Sequence, residues 1–278
     1  MVVNPADYEL NTNRILRIYS LIDLMREPII WNAIRELKIL LGSRGLDAGC
    51  GIGSNTLLLA EAVAAGGHVT GLDLSFEFIS VAEKRAQKAG CAGKVTFQQG
   101  DVRDIPFEEN TFDWAWSMDL VGYASMDMLP LLRELIRVIK PGGKLAVLAW
   151  SSEELLPGHP RLEARLSATN SGIAPFVHGN APKTHFLRTL GWFKQSGLIM
   201  NKAQTFIKDV QAPLDQDTKL GLQALFEMRW SGVESELSED DLDEYQQFVK
   251  PGSPDFILNE PDYYAFFTYT MFTGEVPG

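Results

Sequence analysis

The chain has 278 residues and only two cysteines, Cys50 and Cys91, which stand far apart and form no CxxC pair. That spacing argues against a disulfide framework and against a cysteine-based zinc site. Long apolar runs are missing as well, and no stretch approaches the roughly 18–20 residues that span a bilayer. The first residues carry Asp7 and Glu9 instead of a basic segment followed by an apolar one, so no secretory leader is visible. A cytoplasmic protein without membrane insertion is expected.

Basic charge is also scarce. Twenty-five Lys and Arg face 36 Asp and Glu, a formal net charge of -11. No Lys/Arg block interrupts this excess. An acidic field weakens the long-range attraction to phosphate, so DNA, RNA and anionic membranes are poor partners and a small molecule is favoured. The four histidines show no metal-site spacing, and no metal is expected.

What is present is a change of period along the chain. In residues 1–41, Ile15, Ile18, Tyr19, Ile22, Leu24, Met25, Ile29, Ile30, Ile34, Leu37 and Leu41 recur at spacings of three and four. They predict two amphipathic helices broken at Glu27-Pro28, an N-terminal helical cap over residues 1–41. From residue 42 to 278 a second domain is expected, with a regular core at 45–150. There, short apolar strands at 45–48, 68–74, 95–99, 112–117 and 144–150 alternate with helical patterns at 56–65, 76–89 and 128–139. Ser75 is placed to cap the helix from Phe76, Asp127 the helix from Met128, and Pro141-Gly142-Gly143 is read as the stop of the latter. Such alternation implies a parallel sheet covered by helices on both faces, an α/β fold.

Beyond Trp150 the pattern loosens. Prolines and glycines crowd 151–185, which reads as a largely irregular insertion, and 211–262 as a second, acidic and helical one. Between them lie a helix at 186–196 and a strand at 202–210, and Tyr263–Thr273 closes the chain as an aromatic strand. Its aromatics can wall a pocket or fill the sheet core, and Glu234–Glu244 reads as a solvated face.

The chemistry concentrates in Leu46-Asp47-Ala48-Gly49-Cys50-Gly51-Ile52-Gly53, a strand running into a glycine loop and a helix. Glycines let the backbone turn sharply and approach a ligand closely, and the free N–H groups of the following helix suit a carboxylate or phosphate. Alone, the loop marks nothing more than a tight turn. Asp47 before it suits a cationic amino group; Asp73, ending the second strand, suits two ribose hydroxyls; Asp101, after the third, suits an adenine amino group. Singly, each is also a solvated strand-end acid. Together they sit at the carboxyl ends of three successive strands, where ligands bind in open α/β sheets.

The series LDAGCGIG, VTGLDLS, GDVRDIPFEENTFDWAWS and LLRELIRVIKPGGKLAVLAW resembles, in order and spacing, the motifs of class I S-adenosylmethionine-dependent methyltransferases. It is most similar to the branch related to ubiquinone and menaquinone biosynthesis methyltransferases. The resemblance implies a Rossmann-like seven-stranded sheet of order 3-2-1-4-5-7-6 with the last strand antiparallel. It implies S-adenosylmethionine as cofactor and methyl transfer to a small-molecule O, N or C nucleophile. Carried over by position, Asp47, Gly49 and Gly51 line the methionine end, Asp73 takes the ribose and Leu74 lies beside the adenine. Asp101 and Val102 meet the adenine edge, and Ser117 lies under the sulfonium. Tyr19, Arg26 and Trp31 fall in N-terminal helices that in related enzymes fold over the cofactor, although simple packing explains them equally.

A general base is required only where the nucleophile must lose a proton. Asp119, just after the fourth strand, is the best-placed carboxylate, and His178, with His159 and His185, lies in or beside the first insertion. Each also reads as a loop acid or packing residue. Two rivals remain. A nicotinamide-dependent oxidoreductase shares the strand–loop–helix start, but its GxGxxG fingerprint differs from Gly49-x-Gly51-x-Gly53 with Asp47 in front. A non-catalytic S-adenosylmethionine binder of the same fold keeps every cofactor position. An arsenical acceptor is disfavoured, since no set of thiols exists to hold it.

Overall fold

The computed structural model describes the backbone of residues 5–120, 128–173 and 185–278, and the side chains among them from residue 13 onward. Seven strands form one sheet: β1 (Arg44–Ala48), β2 (His68–Asp73), β3 (Val95–Gln99), β4 (Phe112–Met118), β5 (Ile139–Glu154), β6 (Ile199–Gln211) and β7 (Tyr264–Glu275). Their order is β3-β2-β1-β4-β5-β7-β6, the order the motifs imply. β1 pairs in parallel with β2 and β4, placing Asp47 opposite Gly71 on one side and Trp116 on the other. β2–β3 and β4–β5 are parallel too. Strand β7 runs the other way: Gly142 N donates to Val276 O and Val276 N to Gly143 O, so the start of β5 meets the end of β7.

The helices are α1 (Pro5–Leu37), α2 (Ser54–Ala62), α3 (Phe76–Lys88), α4 (Met128–Val138), α5 (Pro160–Ala168), α6 (Asn170–Ile173), α7 (Thr189–Gln195), α8 (Gln216–Trp230) and α9 (Glu239–Phe248). None of the described helices is long and apolar enough to cross a membrane. Ser75 caps α3 as its sequence position suggests, accepting from Phe78 N at 3.2 Å. The cap expected at Asp127 lies outside the described residues.

By compactness the chain divides into two units. One holds Ile29–Ser151, Pro175–Phe206 and Tyr269–Gly278; the other holds Met1–Pro28, Ser152–Ala174 and Ile207–Thr268. In the sheet unit, Leu46, Ala48, Leu72, Ala115, Leu145 and Val147 are buried with Leu131, Leu132 and Leu135 of α4 in one core cluster. Gly45 leaves room for the Trp114 ring, whose atoms lie within 2.3 Å of where a Cβ would stand, and Trp114 Nε1 donates to Ser43 Oγ at 2.9 Å.

The second unit is held by buried polar groups rather than by apolar packing alone. Arg229 on α8, 3% exposed, donates to Glu153 Oε1 at 2.7 Å and to Gly172 O at 2.7 Å. Glu163 on α5 accepts from Leu155 N at 2.6 Å and Leu156 N at 2.9 Å, and burial pushes its carboxyl up to about 7.

Four expectations change. Helix α1 passes through Pro28 without ending. A mid-helix proline leaves the carbonyl four residues back without its helical donor; here that residue is Leu24, itself 52% exposed. Pro141-Gly142-Gly143 does not separate α4 from a strand but lies inside β5 as a bulge, where pairing skips from Phe112–Ile139 to Trp114–Lys144. The first insertion carries α5 and α6, because Pro160 stands at the first turn of α5, where proline starts a helix instead of stopping it. The acidic face is not solvated throughout: Asp241 is buried, accepts from Ser238 Oγ at 2.6 Å and pairs with Arg165.

Candidate functional site

Three parallel strands deliver the site. β1 ends at Ala48 and the chain turns at Gly49 and Gly51, whose φ values of 78° and 54° are left-handed. Glycine suits that region because it lacks the Cβ that makes it costly for other residues. Gly49 N and Cys50 N both donate to Leu72 O, at 2.8 and 3.0 Å, so β2 holds the loop from one side. Gly51 N donates to Asp73 Oδ2 at 2.8 Å, and Ser75 N donates to Asp73 Oδ1 at 2.9 Å. One carboxylate therefore ties the loop to the start of α3, and each of its oxygens keeps a further lone pair for a ligand hydroxyl.

Around the loop lie groups with unused capacity. No described atom comes within 4 Å of where a Cβ on Gly51 would stand. α2 starts after Gly53, which offers no side-chain cap, and a helix start of this kind suits an anion. Asp47 is fully buried; its Oδ2 accepts from Thr56 Oγ1 at 2.6 Å, and its Oδ1 has no partner among the described residues. Burial pushes this carboxyl up to about 7; the Thr56 hydrogen bond opposes the rise and the charge of Asp73 adds to it. Ser117 on β4 is likewise buried with its Oγ unpartnered among the described residues. Asn55 Nδ2 reaches Met118 Sδ at 3.2 Å, while its Oδ1 is unpartnered in the same sense. Orphaned buried oxygens are uncommon and costly, and their concentration beside one loop fits a polar, partly cationic ligand.

Other expected residues are placed as follows. Leu74 and Phe76 follow β2 with 64% of each exposed, an apolar rim beyond Asp73. Asp101 follows β3, but its carboxylate accepts from Arg103 Nε and Nη2 at 2.9 and 2.6 Å, and the Arg103 hydrogen bonds hold its pKa below the usual range. Val102 is buried in the core. Asp119, with φ 51°, accepts from Trp150 N on Oδ1 and from Tyr269 Oη on Oδ2, both at 3.0 Å. His178 lies outside the described residues. His159 stacks on Phe248 at 4.0 Å in the second unit, and His185 on Phe186 at 4.8 Å in the sheet unit, where burial lowers its pKa. Tyr19 is half-buried on α1, and Arg26 donates to Asp23 at 2.7 Å, both in the second unit. Arg35 lies over the Trp31 ring at 5.9 Å. Of the terminal aromatics, Tyr263, Phe267, Tyr269 and Phe272 are buried and Tyr264 is exposed.

The structure thus gathers Asp47, Gly49, Gly51 and Asp73 around one loop, with Ser117 on the strand neighbouring β1. It adds Thr56, Asn55, Arg103 and Tyr269, which sequence reasoning did not single out. Thr56 lies on the first turn of α2, which starts at Ser54, two residues before its apolar pattern does, and Tyr269 is one of six aromatics in its stretch with no signal to separate it.

A methyltransferase-domain family matches residues 46–143. The chain is 33% identical to a demethylmenaquinone methyltransferase of Anoxybacillus flavithermus over 50% of its own length and 59% of the relative's. It is 32% identical to a 2-phytyl-1,4-naphtoquinone methyltransferase of Nostoc punctiforme, over 60% of this chain and 73% of that one. The chain spans little more than half the length of the demethylmenaquinone methyltransferases it matches. Among solved structures, a SAM-dependent methyltransferase from Aquifex aeolicus shares the fold, with a TM-score of 0.51 and 19% identity over 91% of this chain and 96% of that one.

Proposed function

The chain belongs to the class I S-adenosylmethionine-dependent methyltransferases, in the quinone-methyltransferase branch, and on that premise we propose that it methylates a small aromatic acceptor of the quinone type. The observation that carries the reading is Asp47: a buried carboxylate with one unpartnered oxygen among the described residues, directly before a glycine loop tied to Asp73. A nicotinamide cofactor offers its pyrophosphate at this loop, and a buried acid there would repel it. An amino-acid tail offers an ammonium instead.

When bound, S-adenosylmethionine supplies a methyl group on a sulfonium, open to in-line displacement by a nucleophile. The remaining work is done by the chain's own residues. Asp47 would hold the amino group, and the start of α2 would receive the carboxylate. Asp73 would accept from the ribose hydroxyls, Leu74 would lie beside the adenine and Val102 would meet its edge. Asp101, which accepts from Arg103, would meet the adenine edge, and Ser117 would hold the sulfonium region. Gly51 leaves the space that any side chain would fill. Such a site accelerates transfer by alignment and exclusion of water. Where the acceptor atom must lose a proton, His178 is the candidate base. Asp119 already accepts two hydrogen bonds, which favours a holding role.

The acceptor class rests on the names of the relatives, whose printed substrates are a demethylated menaquinone and a phytyl naphthoquinone. Transfer of labelled methyl from S-adenosylmethionine to a reduced demethylated naphthoquinone tests it. Label in the organic extract that is lost on adding S-adenosylhomocysteine is expected. Binding of the cofactor product without any transfer to quinols would remove the quinone from the proposal and leave the cofactor assignment standing.

A further inference from the structure

Asp119 sits in the left-handed region without being glycine, and hydrogen bonds to β5 and β7 hold it there. Its N–H donates to Leu148 O at 2.9 Å, Oδ1 accepts from Trp150 N at 3.0 Å, and Oδ2 accepts from Tyr269 Oη at 3.0 Å. The first two bind the turn to β5. The third reaches across to β7, from a residue with no solvent exposure whose ring packs edge-on against Trp150, centroids 5.3 Å apart.

The next residue carries the consequence. Leu120 Cδ2 lies 2.8 Å from where a Cβ on Gly49 would stand, and Leu120 Cβ and Cγ lie 3.4 Å from it. Gly49 is thus held between the Leu120 side chain, from the end of β4, and Leu72 O, which accepts from its N–H at the end of β2. The direction in which Leu120 leaves the backbone is set by the left-handed residue before it. A relaxed φ at Asp119 would swing Leu120 off the loop.

We infer that Tyr269 is a positioning residue for the cofactor loop: through Asp119 it fixes the turn that seats Leu120 against Gly49. The inference rests on the methyl-transfer reading for what the loop binds, but the mechanical link itself does not. The Tyr269 hydroxyl donates to Asp119, and Asp119 directly precedes the Leu120 that lies against Gly49, so the route from Tyr269 to the loop runs through these two residues. A tyrosine that merely fills the core would lower stability without selecting the loop.

The test is Tyr269→Phe, which keeps the ring and removes the hydroxyl. Two quantities are read: calorimetric affinity for S-adenosylhomocysteine, and amide hydrogen exchange at Gly49 and Cys50 in the protein alone. The expected result is a roughly five- to tenfold weaker affinity, with faster exchange at both amides and unchanged exchange in β3. In a Leu120→Ala background the same substitution changes affinity less than about twofold, because the transmitting contact is already gone. A lower Tm with unchanged exchange at Gly49 overturns the inference, as does an equal loss in both backgrounds. If Tyr269→Phe does not fold, Asp119→Gly takes its place, accepting the left-handed turn while removing the carboxylate. Normal Gly49 exchange in that variant also overturns it. Failure of the unmodified protein to bind S-adenosylhomocysteine strikes the methyl-transfer reading, while Gly49 exchange judges the mechanical link separately.

Discussion

Thr56 donates its hydroxyl proton to Asp47 Oδ2 at 2.6 Å, and the opposite oxygen of that fully buried carboxylate has no partner among the described residues. The pair fixes the carboxylate against α2 and leaves one side available. A hydroxyl suits the task because it can serve either protonation state, donating to the carboxylate or accepting from the acid.

Burial raises the folded-state pKa of Asp47 from 3.8 to about 7, so the neutral form is the one the fold prefers. Its stabilising contribution is therefore full below the unfolded pKa and is lost as pH rises towards 7. Asp47→Asn should remove this dependence. Between about pH 4 and pH 8, the Tm of the unmodified protein should fall relative to the Asn variant. Parallel Tm profiles would contradict the assignment.

A cationic ligand at Asp47 favours the carboxylate and brings its pKa back down, so binding should release a proton at or somewhat below pH 7. Titrations with S-adenosylhomocysteine at about pH 6.5, in buffers of different ionisation enthalpy, should give apparent enthalpies that differ accordingly. Asp47→Asn should abolish the difference.

Asp73→Ala deletes the acceptor of Gly51 N and Ser75 N as well as the proposed ribose contact. Loss of about 1–3 kcal/mol in S-adenosylhomocysteine binding is expected by calorimetry. Unchanged affinity in a folded variant would remove Asp73 from the site.

The two loop glycines should respond differently. Gly51→Ala meets open space, so its cost to stability is the left-handed strain of about 1–2 kcal/mol, yet it should abolish cofactor binding. Gly49→Ala adds a collision with Leu120 and should lower Tm further. Chemical denaturation of both variants beside a binding titration separates strain from occlusion.

In the second unit, Arg229→Ala leaves Glu153 buried without its cation and should cost about 3–5 kcal/mol of stability. Replacing both partners with apolar residues should cost clearly less. Equal losses by denaturation would contradict this account of the pair.

Most of the sheet was legible because strand, loop and helix follow one another with unambiguous periods from Arg44 to Trp150. Asp47, Gly49, Gly51 and Asp73 were legible because the chemistry of a glycine loop fixes where an acid is useful. The remainder depends on contacts that no local pattern reports. Tyr269 meets Asp119 from 150 positions away, and Arg103 claims the carboxylate of Asp101 only because the turn after β3 brings it back. Pro160 and Pro28 misled for a shared reason: proline's effect depends on its place in the helix, which composition does not reveal.

The central claim is that the loop after β1 holds S-adenosylmethionine, and calorimetric titration of the unmodified protein with S-adenosylhomocysteine and with NADH tests it directly. Saturable binding of S-adenosylhomocysteine that is lost in Gly51→Ala, with no binding of NADH, is the predicted result. Binding of NADH alone would contradict it.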